Sequence, residues 1–288
     1  MQHVQLDPPP PPPPDQPELP EGAAPRWPAW YAGVGFLVAL IATLVVVGIF
    51  AAATGASSDD EDATFTIVAT FIQGMIFIGT AVLFASFTRK PRAEHFGLRP
   101  TVFWQAVGWA ALGLFCFYLL AFVYTVIVQP DAEQTVAQDL GADQGTFGLI
   151  AAGFMVICVA PVAEEFFFRG FFYRALRSRW SVLGAATIDG LLFGVIHYDF
   201  SGADALLILP PLAVLGFTFC LVYERTGSLY PVIALHAFNN AIAYGATVED
   251  ASVSLVLGPM MLLGCALVPW IQQSRLASPA DGHGIVAR

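Results

Sequence analysis

The stretch Phe147–Ala163, which reads FGLIAAGFMVICVAPVA, runs directly into Glu164–Gly170, which reads EEFFFRG. The first part holds seventeen residues without a charge, and the second adds two carboxylates and an arginine. A charge inside a bilayer costs about 2.5–3.5 kcal/mol or more on insertion scales. These three charges must therefore be paired, neutralised or in contact with water in a cavity. The stretch predicts a membrane-spanning helix that carries a polar site.

The charges of this stretch fall on two faces of the predicted helix. Glu165 and Arg169 are four residues apart and can form an ion pair. Glu164 lies about 100° further round the helix, so it is left without a local partner. Two interpretations follow. The pair can lock helices together, or the stretch can form a chemical site, which the additional glutamate favours.

The composition is that of a membrane protein. Of 288 residues, 57% are hydrophobic and 12% are charged, against roughly 45–50% and 25% in soluble domains. Apolar segments of about 20 residues suffice to cross a bilayer. Eight such segments are predicted, at about 30–53, 64–87, 102–128, 147–166, 181–198, 205–223, 229–245 and 252–271. The predicted fold class is an all-α polytopic membrane protein with about eight transmembrane helices, the fourth continuing into the basic stretch after Arg169.

The chain divides into four predicted regions. Residues 1–29 contain a run of seven prolines, Pro8–Pro14, and predict an extended or disordered tail. Residues 30–145 hold three transmembrane helices. Residues 146–246 form a core of four helices, and residues 247–288 hold the last helix and a short tail.

The basic residues occur only in the two tails and in every second connection between the predicted segments. All twelve Lys and Arg residues lie in the N-terminal tail, in the second, fourth or sixth connection, or in the C-terminal tail, while the other connections hold acids. The positive-inside rule therefore places both termini in the cytoplasm. We expect a multi-pass protein of a bacterial inner membrane. A net charge of −10 and the lack of a basic stripe exclude nucleic acid as a partner.

Polar residues recur inside the later segments. Asp189, Phe193 and His197 are spaced by four and share one helix face, as do His236 and Asn240. A lone histidine in such a helix is more often a packing residue. Polar residues inside a membrane are nevertheless functional candidates, and two histidines, an asparagine and an unpaired glutamate together favour one shared site.

The ordered motifs resemble the signature of the CPBP (CAAX protease and bacteriocin-processing, or Abi) family of intramembrane endopeptidases. This family includes CAAX prenyl endopeptidases and lysostaphin-resistance-like proteins. The motifs are Glu164-Glu165-x-x-x-Arg169, Phe193-x-x-x-His197 and His236-x-x-x-Asn240. The match covers roughly residues 146–246. What the resemblance implies is an all-helical intramembrane protease whose site opens towards the cytoplasm.

The resemblance also implies roles for the motif residues. In that family the first glutamate and the second-motif histidine activate water, and the third motif holds the oxyanion. The catalytic residues here would be Glu164, His197, His236 and Asn240, with Glu165, Arg169 and Phe193 in support. A carboxylate in an apolar site is a stronger base than in water. One fixed donor to an oxyanion is worth about 2.7–4 kcal/mol of barrier.

A metal-dependent alternative stays open. Glu164, His197 and His236 can bind Zn²⁺ as a His₂Glu site with one free position. That arrangement would make Glu164 a ligand and leave no separate base, and the chain contains no H-E-x-x-H motif. We therefore favour a site without a cofactor, with zinc as the alternative.

The predicted depths of the site residues disagree. Glu164 lies about 27 Å from the outer end of segment four, and His236 lies about 10 Å from the cytoplasmic end of segment seven. Those two depths agree. His197 lies about 24 Å along segment five from its cytoplasmic end, which places it closer to the outer surface than Glu164 and His236. Either that segment begins deep, or it is tilted, or its boundary is wrong, or Pro161 bends segment four.

Two other functions compete with proteolysis. A non-catalytic immunity or scaffold protein of the same family is one, and a proton-coupled transporter is the other. The absence of a visible internal repeat argues against transport. The expected partners are membrane lipid and a membrane-associated or lipidated peptide or protein substrate.

Overall fold

The computed structural model describes residues 27–55, 63–130, 135–198 and 204–277, all of which are helices or connecting turns. Nine helices are numbered in chain order: α1 (Trp30–Thr54), α2 (Ala63–Ser86), α3 (Phe103–Val128), α4 (Val136–Asp139), α5 (Gly145–Arg177), α6 (Val182–Val195), α7 (Leu209–Thr226), α8 (Leu229–Thr247) and α9 (Ser252–Ala277). Short 3₁₀ turns occupy Ala93–Phe96 and Asp204–Ile208. The predicted proline-rich tail lies outside the described residues, apart from its last three positions.

Among the described helices, six are long and apolar enough to cross a membrane, namely α1, α2, α3, α5, α7 and α9. The chain is therefore a multi-pass helical membrane protein, as the composition predicts. The two remaining predicted segments differ from these six. Helix α6 has only 14 residues, and α8 carries His236, Asn239 and Asn240, which lower its hydropathy. The total of eight spans stays a prediction.

Helix α5 is continuous from Gly145 to Arg177, 33 residues, which confirms the predicted extension into the basic stretch. It is about 50 Å long. Two of its turns, Met155–Val159 and Phe168–Tyr173, are wider π turns. The first lies directly before Pro161, which has no N–H for the usual helical bond. Such turns change the rotation of a helix locally, and these two flank the α-helical turns that carry Glu164.

The disagreement between the depths of Glu164 and His197 arises because the depth of Glu164 refers to the apolar segment, which ends at residue 166, and not to the whole helix. Helix α5 runs eleven residues further, to Arg177. Measured from the connection between α5 and α6, Glu164 lies about 20 Å up α5 and His197 about 22 Å up α6. The depths of Glu164 and His197 therefore agree. His236 lies only about 10 Å from the start of α8, because Leu229 at that start packs beside Gly170, about 10 Å up α5 from Arg177. The predicted segment 181–198 was also too long, since α6 ends at Val195 and His197 lies in the following turn.

An aromatic core surrounds the second half of α5. Phe167, Phe168 and Phe171 are completely buried. The ring of Phe77 on α2 stacks on Phe167 with a centroid distance of 4.8 Å. These contacts between α5 and its neighbours fix the helix that presents the two glutamates.

Helices α6 and α7 pack with their backbones in contact. A Cβ atom added at Gly190 would lie 2.6 Å from the carbonyl oxygen of Ala213. One added at Gly216 would lie 2.9 Å from the Cβ atom of Phe193. Glycines permit this close approach between membrane helices. The two helices therefore form a tight hairpin.

Candidate active site

Three of the predicted catalytic residues meet at one point. The Oε2 atom of Glu164 lies 4.0 Å from Nε2 of His197 and 3.9 Å from Nε2 of His236. The side chains of His197 and Glu164 are 29% and 18% exposed, whereas that of His236 is 4% exposed. His197 and Glu164 are therefore partly exposed, whereas His236 and the Oε2 atom of Glu164 are buried.

The other nitrogen of each imidazole fixes its tautomer. Nδ1 of His197 lies 2.7 Å from the backbone carbonyl oxygen of Phe193. Nδ1 of His236 lies 2.7 Å from Oε1 of Glu165. A carbonyl and a carboxylate only accept hydrogen bonds, so both Nδ1 atoms carry a proton and donate it. In the neutral rings both Nε2 atoms then present lone pairs to Glu164.

This arrangement brings three acceptors together. The carboxylate of Glu164 and the two Nε2 atoms cannot hydrogen-bond one another, and Glu164 Oε2 has no hydrogen bond. A group that supplies hydrogens or positive charge stabilises such a set. A water molecule donates two hydrogen bonds and suits these acceptors.

Glu165 is completely buried. Its Oε1 atom accepts hydrogen bonds from Arg169 Nη1 at 3.0 Å and from His236 Nδ1 at 2.7 Å. The predicted ion pair between Glu165 and Arg169 is confirmed. The same carboxylate also orients His236, a function that the helical spacing did not reveal.

Arg169 links three helices. Its Nη2 donates to the carbonyl oxygen of Gly216 at 2.8 Å and lies 3.5 Å from Oδ1 of Asp189. The guanidinium carbon is 4.5 Å from the ring centroid of Phe193 and 5.1 Å from that of Phe219. Phe193 therefore contacts the ion pair and also supplies the carbonyl that orients His197.

Some residues of this cluster lie outside the predicted site. Asp189 has a clear sequence signal, a carboxylate inside an apolar segment, spaced by four from Phe193. Gly216 and Phe219 have no such signal, because a glycine and a phenylalanine are ordinary in a membrane helix. Only the packing of α7 on α6 reveals them.

Asn240 lies on the same face of α8 as His236 but bonds to α5. Its Nδ2 donates to the carbonyl oxygen of Val156, in the first π turn, at 2.9 Å. One of its two amide hydrogens stays available for another acceptor. Sequence reasoning missed its neighbour Asn239, whose Oδ1 accepts from the hydroxyl of Tyr118 on α3 at 3.2 Å.

The zinc alternative can be tested against these distances. Histidines that donate Nδ1–H and offer Nε2 have the chemistry of zinc ligands. Ligand atoms of a tetrahedral zinc ion lie about 3.4 Å apart, and the separations here are 3.9 and 4.0 Å. In the described part of the chain, no group of three or more His, Cys, Asp or Glu residues is placed to hold a metal ion. The three atoms are thus spaced more widely than the ligands of a bound zinc ion, zinc stays the alternative to a site without a cofactor, and no step below runs through a metal.

The fold and the site define a class: a multi-pass helical membrane protein with a buried Glu–Arg–His cluster beside a second, partly exposed glutamate. Residues 146–242 match the family described as "Type II CAAX prenyl endopeptidase Rce1-like". That segment contains every candidate site residue. The resemblance of the three motifs to the CPBP family is thereby confirmed over this part of the chain.

Two bacterial proteins, both from Bacillus subtilis (strain 168), are similar to parts of the chain. One is named "Uncharacterized protein YyaK", 27% identical over 140 residues, which is 48% of this chain and 46% of the relative. The other is named "Putative membrane peptidase YdiL", 32% identical over 82 residues, which is 28% of this chain and 31% of the relative. The chain spans less than half the length of either relative. No solved structure matches it.

Proposed function

We propose that this protein is an intramembrane endopeptidase of the CAAX-protease-like kind, which hydrolyses a peptide bond near the membrane surface. The observation that carries the proposal is the position of Glu164 Oε2, 3.9 and 4.0 Å from two imidazole Nε2 atoms. The family match over residues 146–242 and the relative named as a membrane peptidase support the same reaction. The substrate class is a membrane-associated or lipidated peptide or protein.

The first step is attack by water. A water molecule held by Glu164 and Nε2 of His197 has both hydrogens engaged, and its oxygen lone pairs face the substrate. Its oxygen adds to the scissile carbonyl carbon while one proton passes to Glu164. General-base assistance of this kind contributes about 10²–10⁴-fold to a rate. We infer that this water lies on the side of His197, because His197 is more exposed than His236.

The second requirement is a pair of donors for the oxyanion. Asn240 has one amide hydrogen beyond its bond to Val156. His236 donates Nδ1–H to Glu165, so its Nε2 can donate only when the ring carries both protons. The C–N bond then breaks, and the proton on Glu164 passes to the leaving amine. The products are a carboxylic acid, which keeps the O–H of the water, and an amine, which takes the proton from Glu164; transfer of the acid proton to the amine then gives a carboxylate and an ammonium group.

The topology belongs to the same proposal. Arg99 of the second connection donates Nε–H to the carbonyl oxygen of Gly227 at 2.7 Å. Arg177, at the end of α5, pairs with Glu224 on α7 at 2.8 Å. Three basic connections thus meet at one end of the bundle, which supports a common cytoplasmic side. Thiol labelling of single cysteines in the tail, from either side of a vesicle, tests this orientation.

Cleavage of a quenched fluorescent lipidated peptide by the purified protein tests the function. We expect wild-type activity that survives a strong chelator and vanishes in Glu164→Gln, with Glu249→Gln, an exposed carboxylate, as the matched control. Activity lost to the chelator and restored by Zn²⁺ would instead assign Glu164, His197 and His236 as ligands. No cleavage by wild type over several peptides would overturn the proposal and favour the immunity or scaffold alternative.

A further inference from the structure

Asp189 is a buried charge that the proposed reaction does not use. It lies in the middle of α6, is completely buried, and its Oδ1 atom is 3.5 Å from Nη2 of Arg169. A buried carboxylate is costly unless a partner compensates it. It precedes His197 by eight residues, about two turns of helix. The helix that leads into the turn with the partly exposed His197 therefore also carries this charge.

Arg169 is the polar link between α5 and the hairpin of α6 and α7. It binds Glu165 on its own helix, Asp189 on α6 and the carbonyl oxygen of Gly216 on α7. The backbones of α6 and α7 touch through glycines, so a displacement of one carries the other. The aromatic rings around the guanidinium hold the helices together. The Arg169–Asp189 ion pair constrains the position of one helix along the other more closely than these ring contacts do, because its energy depends on the distance between particular charged atoms.

His197 depends on α6 for its position. Its backbone N–H donates to the carbonyl oxygen of Gly194 at 3.0 Å, and its Nδ1 donates to that of Phe193 at 2.7 Å. Both bonds tie it to the end of α6, and neither ties it to α5. The distance to Glu164 is therefore set by the position of α6 along α5.

We propose that Asp189 is a positioning residue, whose pairing with Arg169 sets the position of α6 along α5 and so holds His197 Nε2 about 4 Å from Glu164. Asp189 itself touches neither Glu164 nor the water-binding atoms of the histidines. It acts through Arg169 and through the rigid two turns of helix that lead to His197.

Cross-linking measures this position without any need for proteolysis. The native cysteines Cys116, Cys158 and Cys265 are free and would be replaced by alanine, while Cys220, which is completely buried beside Asp189 and Arg169, is kept. Glu164→Cys and His197→Cys are then joined by a short bifunctional thiol reagent in membranes. We expect efficient cross-linking with Asp189 present and loss of most of the cross-linked product in Asp189→Leu, which has similar volume and no charge.

Two further variants keep the test decisive. Asp189→Asn retains a hydrogen-bonding oxygen and should cross-link at an intermediate level, and it serves as the test if Asp189→Leu does not fold. Leu191→Ala changes a lipid-facing residue of the same helix and should cross-link like the parent. The amount of cross-linked product is divided by the amount of monodisperse protein, so a variant that only lowers the amount of folded protein does not change this ratio. Equal cross-linking in all variants would overturn the proposal.

The kinetic consequence rests on the proposed function. In the native site, misplacement of a catalytic group by about 1 Å costs on the order of 100-fold in rate. We expect Asp189→Asn to lower kcat and leave KM unchanged, because Asp189 does not touch the substrate. A raised KM with unchanged kcat would contradict the positioning role. If wild type cleaves nothing, the proposed function fails, and the cross-linking result still decides the role of Asp189.

Discussion

Helices α3 and α5 are both apolar enough to span a membrane, yet they are held in place by different surroundings. In the most apolar eighteen-residue stretch of α3, 6% of the residues are buried, against 39% for α5. Helix α3 leaves most of its side chains on the outer surface of the bundle, whereas the second half of α5 is enclosed by other helices. The hydropathy of both helices shows that each can span a bilayer, but it does not show how deeply each is packed in the protein. Only the charges distinguish the helix around which the others pack.

The difference has an energetic basis. Lipid tails are as apolar as leucine, so a lipid-facing side chain gains little by contacting protein. Within α5, by contrast, each buried charge depends on particular atoms of another helix. We therefore expect substitutions to have large effects in α5 and in the partners of its charges, and small effects on the outer faces of α1 and α3.

The largest expected effect is loss of activity without loss of stability, in Glu164→Ala. Glu164 Oε2 has no hydrogen bond in the described structure, so its removal relieves an unfavourable burial. The rate should fall by about 10²–10⁴-fold, the usual contribution of a general base. Peptide cleavage and thermal unfolding in detergent are measured on the same preparation. Unchanged cleavage at equal expression would refute the assignment of Glu164.

Arg169→Leu should act in the opposite way and mainly lower stability. It leaves Glu165 and Asp189 buried without their common partner, and breaking a buried pair costs about 3–5 kcal/mol. The free energy of unfolding in mixed micelles measures the change. Arg92→Leu is the control, since its pair with Glu94 is 71% and 39% exposed and such pairs are worth about 0–1 kcal/mol. Equal losses in the two variants would show that the cluster around Arg169 is not a stabilising link.

An intermediate effect is expected where α6 meets α7. In Gly190→Ala the new methyl group meets the Ala213 carbonyl at 2.6 Å, and overpacking of this kind costs about 1–3 kcal/mol. Gly33→Ala on α1 has no atom within 4 Å and should be neutral or slightly stabilising. Thermal unfolding of the two variants compares an enclosed helix pair with an outer helix directly. A lower unfolding temperature for Gly33→Ala would contradict the expectation that the outer helix α1 tolerates an added methyl group.

The smallest effect is expected on α3. Leu120 is 54% exposed, and surface substitutions of this kind change stability by about ±0.5 kcal/mol. Phe168→Ala in the buried aromatic core should cost about 3–5 kcal/mol. The free energies of unfolding of Leu120→Ala and Phe168→Ala give the contrast. Similar losses would mean that α3 contributes to packing as α5 does.

Much of the site could be predicted because its signals are local. Charges inside apolar segments stand out at once, and the spacing of four places Glu165 against Arg169 and Phe193 before His197. The meeting of Glu164 with His197 could not be derived in this way. It depends on the true end of α5 at Arg177, eleven residues beyond the point where the apolar pattern stops.

Other parts of the site have no local signal at all. That Glu165 orients His236 follows from the packing of α8 on α5, and helical spacing within one segment does not contain that information. Gly216 enters through its backbone carbonyl, which any residue type possesses. The hydrogen bond from Asn240 to Val156 depends on the first π turn, and turns of that kind have no reliable sequence pattern.

That π turn has a consequence for comparison with relatives. A π turn holds one residue more than the α turn it replaces, so Met155–Val159 behaves like an insertion of one amino acid. Deletion of a single residue there would restore a regular α-helix. The part of α5 before the turn would then be rotated by about 100° relative to the part after it. Glu164 and the binding face for Asn240 would then no longer point the same way. Alignments of this segment should therefore allow a one-residue gap before Pro161, although the hydropathy of the helix would be almost unchanged.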